Sequence, residues 1–143
     1  MKVVINCCFG GFGLSLEAQN LYAEKSGFEL FHYKQVKYDF QGDGSLYKKV
    51  VGLPAEGGMF VHSYTQDLGD EFSGDANDDS YWSYYDLKRD DPVLIEVVEE
   101  LGAERASGSC ASLRVVEIPD NIEWAISEYD GNEHIEEAHQ TWR

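Results

Sequence analysis

Residues 7–15 bring thiols, aromatic rings and glycines together in one short segment, CCFGGFGLS. Backbone N–H groups of a glycine turn that leads into a helix point outward and attract anions. The two phenylalanines could stack on a flat ring, and the serine hydroxyl could donate a hydrogen bond. We therefore predict a binding site for a small anionic molecule, such as a nucleotide. Its residues would be Phe9, Gly10, Gly11, Phe12, Gly13 and Ser15.

The glycine motif matches known phosphate-binding patterns only in part. Gly11 and Gly13 begin the dinucleotide pattern, but Leu16 stands where the third glycine belongs, and no Gly-Lys-Ser or Gly-Lys-Thr follows as in a P-loop. In the alternative interpretation, the glycines bind no ligand and only allow the chain to reverse between a strand and a helix. The motif leaves both a ligand site and a purely structural turn open.

The thiol of Cys8 is the candidate nucleophile, because a thiol near a helix N-terminus ionises more readily. A phosphatase-type loop would carry an arginine six residues later, where this chain has Leu14. The pattern therefore favours a structural cysteine and a protein that is not an enzyme. Together with Cys7 and Cys110 the chain has three cysteines without Cys-x-x-Cys spacing, which is typical of reduced thiols in a cytosol.

Two segments carry residue types that could bind metal ions. Oxygen ligands occupy positions 1, 3, 5 and 12 of a calcium-loop template, but Ser80 replaces the glycine at position 6. These candidate ligands are Asp75, Asn77, Asp79 and Asp86. His134 and His139 lie five residues apart, whereas a metalloprotease helix spaces them by four. Both patterns favour a protein without a metal, and no cofactor is expected.

Aromatic and acidic side chains alternate within residues 78–86. Exposed aromatic rings among carboxylates are typical of a protein-binding surface, although such rings could equally form a small core under their own loop. We predict partner binding here. The residues are Asp78, Asp79, Tyr81, Trp82, Tyr84 and Tyr85.

The chain of 143 residues has 11 basic and 27 acidic residues, so its formal net charge is −16. That charge repels nucleic acids and anionic membranes, so direct binding to either is not expected. The same charge could imitate a phosphate backbone and occupy the basic groove of another protein. An acidic inhibitor of a nucleic-acid-binding protein is therefore the alternative to a binding protein with an anion site.

The first third of the chain predicts a βαβ unit over residues 2–33. A continuous β-branched run at residues 3–5 is typical of a strand covered on both faces. It reads as a buried strand rather than a secretion signal. Ser15 is a suitable N-cap for a helix that ends at Gly27, and aromatic residues 28–33 follow as a second strand.

The remaining elements complete an α/β prediction: a single three-layer domain over residues 1–143 with a mixed sheet. A hairpin is expected within residues 35–51, a strand at 58–64 and a long acidic-aromatic surface loop at 67–91. Asp91 and Pro92 begin a second long helix. Strands follow at 113–118 and 122–126. A turn at residues 130–131 precedes a short C-terminal helix with Ile135, Ala138, His139 and Trp142.

Three stretches resemble a family of uncharacterised bacteriophage and prophage proteins. They are VVINCCFGGFGLS at residues 3–15, RDDPVLIEVVEELG at 89–102 and VEIPDNIEWAISEYDGNEHIEEAHQTW at 116–142. The family tends to place a basic residue where this chain has Cys7, which argues against a phosphate clamp. The central residues 34–85 do not resemble the family.

The resemblance implies a phage origin and the cytoplasm of an infected cell, but no catalytic residue. A small accessory phage protein often acts by binding a host component or by sequestering a signal molecule. The expected partner is therefore a host or defence protein, or a small anionic molecule.

Overall fold

The computed structural model describes residues 1–37, 46–50, 61–73 and 78–137. This part of the chain contains two α-helices and nine strands, which confirms the predicted mixture of helices and strands. The helices are α1 (Leu16–Ser26) and α2 (Pro92–Ala106). The strands are β1 (Lys2–Asn6), β2 (Phe31–Lys37), β3 (Leu46–Lys49), β4 (Val61–Tyr64), β5 (Glu71–Ser73), β6 (Tyr81–Trp82), β7 (Leu113–Glu117), β8 (Trp124–Tyr129) and β9 (Asn132–Glu137). Short 3-10 turns span Asp78–Ser80 and Tyr84–Asp86.

Helix α1 begins and ends where the sequence predicts. The Ser15 hydroxyl accepts a hydrogen bond from the backbone N–H of Ala18 at 3.0 Å, and Gly27 ends the helix with a φ of 85°. On the buried face, the Tyr22 hydroxyl donates to a carboxylate oxygen of Asp91 at 2.6 Å. Burial, reinforced by this bond, raises the pKa of Tyr22 to about 12. The bond ties α1 to the first turn of α2.

Helix α2 also begins as predicted, with Asp91 as its N-cap and Pro92 in its first turn. The Asp91 carboxylate accepts the backbone N–H of Val93 at 2.8 Å, which satisfies one of the free donors of the first turn. Gly102 interrupts the helix with φ 78° and ψ 166°, a conformation that glycine adopts readily. The buried residues of the apolar stripe are Leu94, Val97 and Val98.

The predicted βαβ unit is wrong, because β1 and β2 belong to different sheets and every described strand pair is antiparallel. Strand β1 pairs with β7, in a register that places Val4 opposite Val115. Along its other edge, the backbone N–H of Val4 donates to the carbonyl of Arg89 at 2.8 Å. The apolar run of β1 therefore reflects burial of both faces in the core. An antiparallel strand can be buried on both faces as well as a parallel one.

A second, five-stranded sheet has the order β5-β3-β2-β4-β6. Strand β2 joins the end of the predicted strand 28–33 to the start of the predicted hairpin, and it pairs antiparallel with β3, with Gln35 opposite Tyr47. The turn between them lies outside the described residues. Residues 67–91 are only partly a loop, since β5 and β6 form the two edges of this sheet. Aromatic rings pair across the strands, with Tyr47 stacked on Phe72 at 4.8 Å between centroids. These ring contacts replace the regular apolar alternation that marks a strand in the sequence.

The C-terminal helix predicted after residue 131 is also wrong over the described residues. Strands β8 and β9 form an antiparallel hairpin in which Ile126 lies opposite Ile135. Asp130 and Gly131 have φ of 52° and 86°, which fits a two-residue type I′ turn and its strong preference for Asp-Gly. The pairing to β8 overrides the helical spacing of the acidic sequence. Ala138, His139 and Trp142 lie outside the described residues.

The main core lies between α1, α2 and the β1–β7 pair. Its buried members include Val4, Phe12, Leu14, Ala18, Tyr22, Leu94, Val97, Val98, Ala106 and Leu113. The single-domain, three-layer arrangement stays a prediction. None of the helices in the described ranges has the length and apolar character needed to cross a bilayer.

Candidate functional site

The glycine turn at residues 7–15 is held by hydrogen bonds from several of its own backbone N–H groups. Cys7 donates to the Ser112 carbonyl at 2.8 Å, and Gly10 donates to the Asp130 carbonyl at 2.9 Å. The N–H of Ser15 donates to a carbonyl in the last turn of α2, at 2.9 Å. These three donors are already used within the protein. They give the predicted anion site no support, and that site stays a prediction.

The turn of the β8–β9 hairpin packs directly on the glycine turn. A Cβ added at Gly131 would collide with the backbone nitrogen of Gly11 and would lie 2.7 Å from its Cα. On the other side, a Cβ added at Gly10 would lie 2.8 Å from the Cβ of Cys110. Glycine is required at these positions because backbone meets backbone or a neighbouring side chain, in addition to the positive φ of 86° at Gly131 and 124° at Gly10.

Asn6, at the end of β1, holds together the corner at which the glycine turn, residues 7–15, meets the β8–β9 turn. Its side-chain amide donates to the carbonyls of Cys8 at 2.8 Å and Gly131 at 2.7 Å. Its side-chain oxygen accepts the backbone N–H of Ser112 at 2.8 Å and that of Cys8 at 3.3 Å. The side chain is fully buried, and all four of its hydrogen-bonding capacities are used. Asn6 therefore fixes the glycine turn, the hairpin turn and the start of β7 together.

A buried ion pair stands next to Asn6. Arg89 binds both carboxylate oxygens of Glu133, at 2.6 and 2.9 Å, and its guanidinium lies 3.6 Å from the centroid of the Phe12 ring. The backbone N–H of Asn6 donates to the same carboxylate at 2.8 Å. The guanidinium and the backbone N–H stabilise the buried Glu133 carboxylate, and the carboxylate and the aromatic ring stabilise the half-buried Arg89 cation. The ring of Phe12, a predicted ligand residue, is thus buried and packs on Arg89.

Phe9 and Tyr129 form an exposed aromatic pair beside this corner. Their rings meet edge to face with centroids 6.4 Å apart, and the residues are 61% and 77% exposed. Phe9 comes from the glycine turn and Tyr129 from the end of β8. The pair places a sizeable apolar surface in water, next to the carboxylates of Glu128 and Asp130 in the sequence.

The predicted partner-binding residues divide between surface and interior. Tyr81 and Tyr85 are exposed. Trp82 is half-buried against the ring of Tyr22, and Tyr84 is half-buried with its ring centroid 6.0 Å from that of Phe12. Asp79 is exposed, and Asp78 begins the 3-10 turn. Two of the four rings, Tyr81 and Tyr85, therefore expose half or more of their surface, although each also contacts a neighbouring ring.

The thiols and the oxygen-ligand candidates show no assembled catalytic or metal centre in the described part of the chain. Cys7 and Cys110 are exposed and Cys8 is half-buried. Within the described ranges, no group of three or more His, Cys, Asp or Glu side chains is placed to hold a metal ion. Asp75 and Asn77 lie outside those ranges, and Asp86 is exposed.

A buried polar trio connects α1 to the five-stranded sheet. The two ring nitrogens of His32 lie 2.7 Å from the Ser63 hydroxyl and 2.7 Å from the side-chain oxygen of Asn20. Burial lowers the pKa of His32 to about 4, so the ring is neutral at pH 7. Serine next to an oriented imidazole is an arrangement used in nucleophilic catalysis. Here Ser63 and His32 are only 5% and 8% exposed, so the trio supports packing rather than substrate attack.

A shallow surface cleft of about 410 Å³ lies where the N-terminus meets the start of α2. Met1, Lys2 and Pro92 contribute to its lining, together with three acidic residues. Both nearby cations are engaged, since the N-terminal ammonium binds Asp120 at 2.8 Å and Lys2 binds Glu99 at 2.9 Å. The cleft contains none of the residues that the sequence predicts as a site.

Sequence reasoning missed the residues that build the corner, chiefly Asn6, Arg89 and Glu133. One signal was available, because a polar Asn6 ending the apolar run of β1 requires partners if buried. The pairing of Arg89 with Glu133 spans 44 residues, and no local pattern indicates it. The same holds for His32 and Ser63, which are 31 residues apart.

Comparison with protein-family models, curated proteins and solved structures gave no match. The resemblance to phage proteins therefore stays a prediction.

Proposed function

We propose that this protein is a non-enzymatic accessory protein that acts by binding a basic surface of another protein. The Phe9–Tyr129 pair carries the proposal. These two contacting aromatic residues have more than half of their surface in water, whereas most other aromatic rings in the described ranges pack on one another. Tyrosine is enriched in binding surfaces because one end of its ring is apolar and the other forms hydrogen bonds.

The charge distribution favours a basic partner. Residues 118–137 contain seven acidic residues and no lysine or arginine: Asp120, Glu123, Glu128, Asp130, Glu133, Glu136 and Glu137. Within the described ranges, two of these carboxylates pair with a lysine, arginine or terminal ammonium: Asp120 with the N-terminus and Glu133 with Arg89. Exposed aromatic rings can also receive a lysine or arginine side chain through a cation–π contact. A partner protein with a basic patch complements both features.

The resemblance to phage proteins supports a host or defence protein as this partner, in the cytoplasm of an infected cell. A partner that normally binds nucleic acid would fit the same description, because its groove is basic. Competition by DNA for the bound partner would favour the acidic-inhibitor alternative within the same binding function.

The test is capture followed by reconstitution with purified components. A bacterial lysate passed over the immobilised protein should yield a bound protein, and that purified protein should bind with an affinity that falls as salt rises. The Phe9→Ala/Tyr129→Ala double variant should bind at least about tenfold more weakly, since buried aromatic anchors carry much of an interface's energy. Val36→Ala, at another exposed apolar position, is the matched control. Equal binding by both variants would contradict the proposal.

The predicted anion site is tested separately by thermal shift. Nucleotides and cyclic dinucleotides should raise the melting temperature if they bind the folded protein, by mass action. A response that Phe9→Ala removes would place such a ligand at the glycine turn.

A further inference from the structure

Strand β8 presents a free edge among the described strands. It pairs with β9 along one edge and with no other described strand. The remaining sheet edges are better protected. Strands β5 and β6 contribute only three and two residues. The outer edge of β1 is closed by the backbone of Arg89, β7 packs against α2, and β9 packs against β1, where the Asn6 N–H donates to the Glu133 carboxylate. Short or covered edges are how proteins avoid unwanted strand pairing. Strand β8 has six residues, and no described residue makes a backbone hydrogen bond to its outer edge.

The hairpin geometry determines which backbone groups of β8 face away from β9. Asp130 and Gly131 form a two-residue turn, so Tyr129 and Asn132 are the hydrogen-bonded pair that closes it. Hydrogen-bonded and non-hydrogen-bonded pairs then alternate along the ladder. The N–H and C=O groups of Trp124, Ile126 and Glu128 therefore point outward, whereas those of the intervening residues bind β9.

Charge decides which kind of strand could add to this edge. A second copy of this chain carries the same net charge of −16 and would bring Glu128 and its acidic neighbours close to their own copies. An extended segment rich in lysine or arginine would instead be attracted by these carboxylates. The exposed ring of Tyr129 lies at one end of the edge, against Phe9, and can form a cation–π contact with a lysine or arginine side chain.

We propose that the outward edge of β8 binds an extended basic segment of the partner protein as an added strand, an inference that rests on the protein-binding function proposed above. Backbone hydrogen bonds to Trp124, Ile126 and Glu128 provide the affinity of such a complex. The acidic residues and the Phe9–Tyr129 pair select the side chains of the added strand.

The probe is a library of short peptides with lysine or arginine at alternate positions and valine, isoleucine or threonine between them. The tightest binder is mixed with the full-length isotope-labelled protein, and amide hydrogen exchange is followed by NMR. The amides of Trp124, Ile126 and Glu128 should exchange at least about tenfold more slowly with peptide bound, because they gain a partner. The amides of Ala125, Ser127 and Tyr129 should change less, since they already donate to β9.

Two variants separate backbone pairing from charge. Glu128→Pro removes both the carboxylate and the outward N–H, whereas Glu128→Gln removes only the charge. Neither change deletes a β8–β9 hydrogen bond. The peptide should bind Glu128→Pro about tenfold more weakly than Glu128→Gln, roughly one lost hydrogen bond. If Glu128→Pro does not fold, the exchange measurement on the unmodified protein decides alone.

Several outcomes would overturn this assignment. The two folded variants could bind the peptide equally well, or the peptide could protect amides at another edge. The library could contain no binder, or a concentration-dependent dimer could protect the same three amides. A partner captured from lysate that binds without protecting β8 would also overturn it while leaving the proposed function intact. Failure to capture any partner would count against the function itself.

Discussion

The guanidinium of Arg89 lies 3.6 Å from the centroid of the Phe12 ring while it binds both carboxylate oxygens of Glu133. Arg89 precedes α2, Phe12 belongs to the glycine turn and Glu133 to β9, so one side chain joins three distant segments. The ring covers one face of the cation and the carboxylate meets its edge. The glycine turn is thereby fixed against the C-terminal hairpin.

Replacing Arg89 by methionine should destabilise the protein by about 3 kcal/mol, because the buried Glu133 carboxylate loses its counter-charge. Urea unfolding at pH 7 measures the change. Arg105→Met is the matched control, since Arg105 pairs with Glu17 at the surface and such pairs contribute about 0–1 kcal/mol. The double variant Arg89→Met/Glu133→Gln should recover part of the loss. Equal destabilisation by the two single variants would show that the Glu133 pair is no stronger than a surface pair.

Asn6→Asp should be strongly destabilising although the two side chains have the same shape. An ionised aspartate cannot donate to the Cys8 and Gly131 carbonyls, which lie 2.8 and 2.7 Å from the Asn6 amide nitrogen. We expect a loss of about 3 kcal/mol or more at pH 7, because two buried acceptors would face a buried negative charge. Relative to the unmodified protein, the loss should shrink as the pH falls and the carboxyl regains a donor. A loss independent of pH would contradict the assigned hydrogen bonds.

Gly131→Ala should cost about 2–4 kcal/mol, because the added methyl group collides with the Gly11 backbone and because φ is 86°. Gly27→Ala provides a matched control. Its φ of 85° is nearly the same, but nothing lies within 4 Å of the added Cβ, so only the backbone strain of about 1 kcal/mol remains. Thermal unfolding of both variants measures the difference. Equal losses would mean that the two turns are not in contact.

The buried His32 should make the protein less stable in mild acid. Its pKa is lowered from 6.5 to about 4 in the folded protein, so the unfolded chain takes up the proton first as the pH falls. The free energy of unfolding should therefore decrease by on the order of 3 kcal/mol between about pH 6.5 and about pH 4. Below about pH 4 the contribution of His32 should stay constant. Burial also lowers the pKa of His62, which adds in the same direction.

Unfolding measured across this pH range tests the assignment. His32→Gln should reduce the slope, since the variant has no imidazole to protonate at that site. A slope that persists in His32→Gln would show that other groups control the acid sensitivity.

The amino-acid sequence by itself determined the local features whose causes lie within a few residues. Ser15, Gly27, Asp91 and Pro92 define the ends of both helices through capping and backbone preference, and the Asp-Gly pair defines a turn. Periodicity predicted the buried stripe of α2 and the strands near residues 113–118 and 122–126.

The tertiary structure decided what each element faces. It paired β1 with β7 rather than with β2, and it held residues 132–137 as a strand although their spacing suggests a helix. It also used several N–H groups of the glycine turn internally and brought Arg89 to Glu133. Apart from the β8–β9 hairpin, these outcomes depend on contacts between residues more than 40 positions apart, whose energies no local sequence pattern contains. A strand or a turn gains its partners only when the whole chain has folded, and those partners decide which of its polar groups are still free to bind.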